Sequence, residues 1–335
     1  MKEMSNVYWE ITDVCNLDCA HCYNASSVCN HCFANASEVK KVLDGLSHYG
    51  FKRVSFSGGE PLLHADIEEI CCYARRLGLE VYLITNGVLL SEKTLAWIMS
   101  HNIYLQISLE SDDREINDAI RGYGEYNRVM KSLELLRTAN YLDHIYLHMT
   151  PQKMNYKTVA TFAQFAKMKG CRGAGYSQWA PLGRGRVNNE KMRLSAGEQI
   201  WIIETVRNSA RALNDETFSL DDYVCVDKCG LVLGEGIISP YINSKGELFP
   251  CSGFHEEKFS MGNVYKKCIG DIITNEALCR VIDTAKEGLE KCNDCIISDM
   301  CGKGCLALHQ NPQVSGDGFC LVRKKTLMSI ARGGK

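Results

Sequence analysis

The sequence predicts an α/β protein built as an open, partial (β/α)6 barrel, with a small cysteine-rich domain following it. Two observations carry this. From Val7 to about Gln178, short β-branched or aromatic runs alternate with longer amphipathic segments, the rhythm of repeated strand–helix units around a parallel sheet. After about Leu213 that rhythm stops and cysteines crowd a Gly-rich stretch with little apolar material to fold on, so metal is the expected core there. The division falls at residues 213/214, with 1–213 the barrel and 214–335 the cysteine-rich domain.

The strands are expected at Val7–Thr12, Arg53–Ser57, Glu80–Thr85, Ile103–Ser108, His144–Met149 and Gly175–Gln178. Helical periodicity lies between them at Glu38–Tyr49, Ile67–Leu77, Glu92–Ser100, Tyr126–Ala139 and Tyr156–Met168, with a further helix over Ala196–Leu213. Asp66 with Glu69, and Ser195 with Glu198, have the spacing of capping boxes, and Gly50 and Gly78 follow helical patterns as stops. Six units are fewer than the eight of a closed barrel, and in either form chemistry belongs at the carboxyl ends of the strands. Beyond residue 213, Ile237–Ile242, a turn at Asn243–Gly246 and Glu247–Phe249 read as a hairpin.

Composition narrows the partners. The 38 basic and 40 acidic residues give a formal charge of −2 with neither sign gathered in a block, so no nucleic-acid footprint is expected. No apolar run approaches a membrane span and the start lacks a signal peptide, so no membrane is expected and the location is read as cytoplasmic. In a reducing compartment, 18 cysteines point to metal or redox chemistry rather than disulfides.

Cys15, Cys19 and Cys22 converge from one loop after the first strand. Three thiolates suit a cubane cluster that keeps one iron open. At the end of the second strand stands Ser57-Gly58-Gly59-Glu60-Pro61, where glycines permit close backbone approach and Glu60 offers an anionic acceptor. Downstream, Cys292-x-x-Cys295-x5-Cys301-x3-Cys305 precedes Cys320, and Cys225, Cys229 and Cys251 lie upstream. Thiolate pairs of this kind also describe structural zinc. Cys29 and Cys32 form a Cys-x-x-Cys open to reading as a redox dithiol, a metal site or loop filling. Cys71, Cys72, Cys171, Cys268 and Cys279 read mostly as buried apolar thiols.

The Cys-x-x-x-Cys-x-x-Cys loop and the Gly-Gly-Glu-Pro turn resemble the signature of the radical S-adenosylmethionine superfamily, and the downstream cysteines resemble its SPASM extension. The resemblance implies three 4Fe-4S clusters. One is held by Cys15, Cys19 and Cys22 and binds S-adenosylmethionine. A first auxiliary cluster is held by Cys225, Cys229, Cys251 and Cys305, and a second by Cys292, Cys295, Cys301 and Cys320. It also implies that Gly58, Gly59 and Glu60 receive the methionine amino group, that Asn86, Ser108, Glu110 and Arg121 surround its carboxylate and ribose, and that His21, with Tyr23 beside it, lies near adenine. Arginine's forked donors suit a carboxylate.

The mechanism so implied is reductive cleavage to a 5′-deoxyadenosyl radical that takes hydrogen from substrate, the cofactor supplying the hard chemistry. Tyr123, Tyr126, His148, Tyr176, Gln178 and Trp179 are candidates to face substrate. The implied substrate is a peptide that receives a thioether or carbon–carbon cross-link or a related oxidation; the alternatives are tetrapyrrole side-chain modification and, outside catalysis, an electron-transfer or zinc-binding scaffold. A reductant such as flavodoxin or ferredoxin is implied. The first strand begins by Val7, leaving no room for an N-terminal leader-recognition domain, so either a separate leader-binding partner or a small substrate is expected.

Overall fold

The computed structural model describes residues 6–213, 240–286, Cys292 and 306–309. A single sheet of nine strands runs in the order β6-β5-β4-β3-β2-β1-β7-β8-β9. Its first six strands, β1 (Asn6–Thr12), β2 (Arg53–Gly58), β3 (Glu80–Thr85), β4 (Tyr104–Ser108), β5 (Ile145–Met149) and β6 (Gly173–Tyr176), are all parallel neighbours. Among the described residues β6 and β9 are free edges, so the barrel is partial, as expected.

The helices between the strands are α1 (Ala36–His48), α2 (Ile67–Arg76), α3 (Glu92–Ser100), α4 (Arg114–Arg121), α5 (Glu125–Thr138) and α6 (Val159–Met168). The short α7 (Gly183–Val187) and α8 (Asn189–Met192) lead into α9 (Ala196–Leu213). Local chemistry fixes their ends. Asn35 caps α1 through Ser37 N, Ser91 and Thr94 form a reciprocal capping box on α3, and Asp113 accepts from Glu115 N and Ile116 N on α4. The Ser195–Glu198 box is present: Ser195 N donates to Glu198 at 2.9 Å and Glu198 N to Ser195 Oγ at 3.3 Å. The Asp66–Glu69 box is not, because Glu69 turns instead to Lys40 and Asp66 makes no side-chain cap.

The two faces of the sheet differ, and the period-2 alternation of a strand explains how. Val7, Trp9 and Ile11, with Val54, Phe56, Val81, Leu83, Leu105 and Ile107, are buried in the layer under the helices. Burying side chains of this size contributes about 1.5–3 kcal/mol each. The opposite, concave face carries Tyr8, Glu10, Ser55, Ser57, Tyr82, Tyr104, Gln106, Ser108, Tyr146 and His148. Near the amino ends of the strands this face is filled by stacked rings and guanidiniums. Arg53 lies over Tyr82, Tyr82 stacks on Tyr104 at 4.9 Å, and Arg172 donates to Tyr146 Oη at 2.8 Å. The polar groups left open therefore gather toward the carboxyl ends.

The sequence after residue 239 continues the same sheet. β7 (Tyr241–Ile242) pairs parallel with β1, then antiparallel with β8 (Glu247–Phe249), and β8 with β9 (Gly262–Asn263). The hairpin is thus found where expected over Tyr241–Phe249, Ile237–Ser239 lying outside the described residues, and its union with the barrel sheet was not foreseen. Helices α10 (Ile269–Ile272) and α11 (Asn275–Lys286) and the turn Leu306–His309 follow. No described helix is long and apolar enough to cross a membrane.

Candidate active site

The carboxyl ends of β1 to β5 converge on the loop that carries Cys15, Cys19 and Cys22. Cys15 and Cys19 are buried with Leu17, and Cys22 packs against them with Val88. Burial pushes the Cys15 thiol up to about 12 and raises that of Cys19, so both are neutral unless a metal displaces the proton. Among the described residues no three His, Cys, Asp or Glu side chains crowd closely enough for a single metal ion. A cubane asks for something else, one thiolate at each of three irons around a wider body, and three thiols spread along one loop fit that demand.

The glycines of the second exit are there for the protein backbone. A Cβ on Gly58 would stand 2.0 Å from Thr12 O, and one on Gly59 would stand 2.0 Å from Val14 O. This close approach lets Gly59 N donate to Thr12 O and Glu60 N to Val14 O, each at 2.8 Å. Glu60 is fully buried and its carboxylate is already engaged. It accepts from Leu62 N at 3.0 Å, Thr85 Oγ1 at 2.7 Å and Asn86 N at 2.8 Å. Burial raises its pKa while those donors oppose the rise. Glu60 therefore ties the β2 exit to the β3 exit. Asn86 in turn donates to Asn16 Oδ1 at 2.8 Å, beside Cys15.

Across the site, Glu110 and Arg121 form a buried pair, 2% and 7% exposed, at 3.1 Å. Glu110 also accepts from Thr150 N at 2.9 Å, and His21 Nε2 lies 3.4 Å from it. Burial lowers the His21 pKa against the pull of Glu110, so the ring is neutral and Arg121 is the charged partner. For Arg121, burial works against the charged form, but the negative charges of Cys19, once its thiol is ionised, and of Glu110 outweigh it. Two buried nitrogens here, Arg121 Nε and His21 Nδ1, have no hydrogen-bond partner among the described residues. Each orphan costs about 1–3 kcal/mol, and both stand where a carboxylate and a polar ring could satisfy them.

Ser108 sits half-buried on the concave face beside its register partner His148. Tyr23 is turned to Glu10, to which its hydroxyl donates, with Tyr8 Oη at 3.4 Å and the His255 ring at 5.5 Å. Glu10 was missed in the sequence. It is a lone carboxyl at a concave-face position of β1, 1% exposed and pushed up to about 7 by burial against the donated bonds of Tyr23 and Tyr241. An acidic residue at an alternating strand position was the available signal.

The other candidates scatter. Tyr176 belongs to the core against Phe162, and Trp179 is buried, while Tyr123 is 99% exposed. Cys32 N and O bind Asp13 and Thr12, and its thiol donates to Ser244 O at 3.4 Å, which makes this half of the Cys-x-x-Cys a loop anchor; Cys29 is exposed. Cys71 and Cys171 are buried thiols as expected, whereas Cys268 and Cys279 are exposed. Of the auxiliary ligands, Cys251 and Cys292 are half-buried against the core, and Cys225, Cys229, Cys295, Cys301, Cys305 and Cys320 lie outside the described residues.

Comparison with known proteins agrees with this arrangement. The radical SAM superfamily pattern matches residues 9–166, and that of the SPASM iron–sulfur cluster-binding domain matches residues 236–296. Mycofactocin maturase MftC of Mycobacterium ulcerans is 26% identical over 309 residues, covering 89% of this chain and 82% of that protein. The AdoMet-dependent heme synthase of Methanosarcina barkeri is 27% identical over 325 residues, covering 90% of each. The structure of Streptococcus suis SuiB bound to precursor peptide SuiA superposes with a TM-score of 0.72 at 16% identity, covering 92% of this chain and 73% of that one. The three-thiol loop, its position at the end of β1 and these matches lead to one conclusion: the chain belongs to the radical S-adenosylmethionine superfamily and to its SPASM-domain subgroup.

Proposed function

We propose that this enzyme oxidatively modifies a peptide, forming a thioether or carbon–carbon cross-link or a related oxidation, from a site at the carboxyl ends of β1 to β5. Cys15, Cys19 and Cys22 would hold a 4Fe-4S cluster with one iron open to S-adenosylmethionine. When bound, the two together supply the one-electron chemistry that removes a hydrogen atom from substrate. The protein's part is placement and exclusion of water. Arg121 offers Nε to the methionyl carboxylate while Glu110 holds the guanidinium in place, and His21 offers Nδ1 to the adenine side. Gly58 and Gly59 bring the β2 exit onto the cysteine loop, and Glu60 locks that exit to Asn86, so the amino group is received by backbone that Glu60 positions. Ser108 stands at the β4 exit toward the ribose, and Tyr23 closes the site toward the SPASM hairpin.

The observation that carries this reading is the pair of nitrogens without a partner among the described residues, the donor Arg121 Nε and His21 Nδ1, buried beside three thiols. The SPASM match and the likeness to MftC support a peptide substrate and two auxiliary clusters, with Cys225, Cys229, Cys251 and Cys305 at the first and Cys292, Cys295, Cys301 and Cys320 at the second. A separate leader-binding protein and a flavodoxin or ferredoxin would complete the system. The likeness to a heme synthase, as extensive as that to MftC, favours tetrapyrrole side-chain modification as the second reading. Anaerobic turnover with short Cys-, Tyr- or Trp-bearing peptides from neighbouring reading frames, and separately with a propionate-bearing tetrapyrrole, decides by mass spectrometry. A peptide that loses two hydrogens supports the first reading; a tetrapyrrole that loses carboxyl groups, with peptides unchanged, replaces it with the second.

A further inference from the structure

The cysteine loop is gripped by a segment that the thiolate spacing does not account for. After β6 the chain runs Trp179-Ala180-Pro181-Leu182-Gly183-Arg184-Gly185-Arg186-Val187-Asn188, and five consecutive carbonyls of the loop, Cys19 to Tyr23, all meet it. Arg184 Nε donates to Cys19 O at 2.8 Å, Asn188 Nδ2 to Ala20 O at 2.9 Å, and Arg184 N to Cys22 O at 2.9 Å. The other two carbonyls lie against glycines. A Cβ on Gly185 would stand 3.2 Å from His21 O, and one on Gly183, whose φ is +50°, would stand 2.4 Å from Tyr23 O. Arg184 Nη1 also pairs with Asp18 at 2.9 Å.

Ordinary loop packing would satisfy such carbonyls with water or scattered donors. Here one side chain, one backbone N–H and one amide from a single turn take three of them, and two glycines make room for the rest. The charge matters as well as the bonds. Cys19 has Arg121 on one side, whose carbonyl accepts from its thiol, and Arg184 on the other. A positive charge beside a cluster stabilises its reduced, more negative state, and burial strengthens the effect.

We propose that Gly183–Asn188 is a clamp that fixes the cysteine loop in its three-thiolate conformation, and that Arg184 is a positioning residue that also raises the reduction potential of the cluster held there. The proposal rests on the assignment of a cluster to Cys15, Cys19 and Cys22. Bonds and charge can be separated by substitution. Arg184→Gln removes both the Nε bond and the charge, Arg184→Lys keeps the charge, and Asn188→Ala removes a bond alone. Arg186→Gln, at an exposed neighbour whose side chain donates to Pro181 O and not to the cysteine loop, is the control.

The experiment uses anaerobically reconstituted full-length protein with two readouts. One is the rate at which a chelator strips iron; the other is the midpoint potential of the electron paramagnetic resonance signal that S-adenosylmethionine perturbs, which reports the open-iron cluster alone. Arg184→Gln should lose iron about tenfold faster, as expected for about 1.4 kcal/mol of lost hydrogen bonding, with a lowered midpoint. Arg184→Lys should restore the midpoint and not the retention, and Asn188→Ala should speed iron loss with the midpoint unchanged. Wild-type values of both readouts in Arg184→Gln, or equal shifts in Arg186→Gln, overturn the proposal. Should Arg184→Gln fail to fold, Arg184→Lys and Asn188→Ala decide it: wild-type iron retention in both overturns the clamp, and a lowered midpoint in Arg184→Lys overturns the role of the charge. A wild type with no signal responsive to S-adenosylmethionine would instead reject the cluster assignment itself.

Discussion

Replacing Gly59 by alanine separates two reasons for a glycine at this turn. If the residue is small to admit a ligand, the metal-free protein should not notice an added methyl group. In the structure the added Cβ meets protein, standing 2.0 Å from Val14 O and 2.4 Å from Val14 C where ordinary contact begins at 3.4 Å. The β2 exit must therefore retreat from the β1 exit by about 1.4 Å, the difference between those contacts. That breaks the bonds from Gly59 N to Thr12 O and from Glu60 N to Val14 O, both 2.8 Å. Two bonds at about 0.5–1.5 kcal/mol each, with residual overpacking, give a loss of about 2–4 kcal/mol. Urea unfolding of the metal-free protein under anaerobic conditions reads it directly. A Gly59→Ala protein within about 0.5 kcal/mol of wild type, with only its affinity for S-adenosylmethionine reduced, would refute the steric reasoning.

Further outcomes follow from the buried charges. Glu60→Gln puts an amide where three donors already point, and should cost about 1.5–3 kcal/mol in urea unfolding; an unchanged midpoint would mean that the carboxylate is not the tie between β2 and β3. Arg121→Lys keeps a charge beside Glu110 but loses Nε, and should weaken equilibrium binding of S-adenosylmethionine by about tenfold or more with little change in fold stability; undiminished binding would remove Nε from the site. Glu10 has its pKa raised from 4.5 to about 7, so its contribution to stability is present below about pH 4.5 and lost as pH rises through about 7. At about 1.4 kcal/mol per unit, wild type should lose up to about 3 kcal/mol across that window relative to Glu10→Gln, and parallel stability profiles for the two would contradict it.

Much of this was legible in sequence because it is written in side chains with fixed periodicity. The strand and helix positions in the barrel fall within a few residues of their expected places, and Cys15, Cys19, Cys22, Asn86, Glu110 and Arg121 do gather at strand ends. What escaped is written in backbone or in distant pairing. The clamp at Arg184 recognises carbonyls, which every residue has, so no side-chain spacing announces it. The parallel pairing of Tyr8 with Tyr241 joins residues separated by most of the chain and leaves no local trace. Helix α4 is only 8 residues long, too short for periodicity. Glu60 was singled out in the sequence for its place in the turn, and its three donors come from neighbouring loops that only the fold assembles.

The most direct test lies in the cysteine loop. Wild type and a Cys15→Ala/Cys19→Ala/Cys22→Ala variant, both reconstituted anaerobically, should be reduced and given S-adenosylmethionine, with 5′-deoxyadenosine measured and iron counted. Wild type should bind about twelve irons, as three cubanes require, and release 5′-deoxyadenosine and methionine; the variant should bind about four fewer and release none. Equal release from the two proteins would contradict the assignment of radical chemistry to Cys15, Cys19 and Cys22.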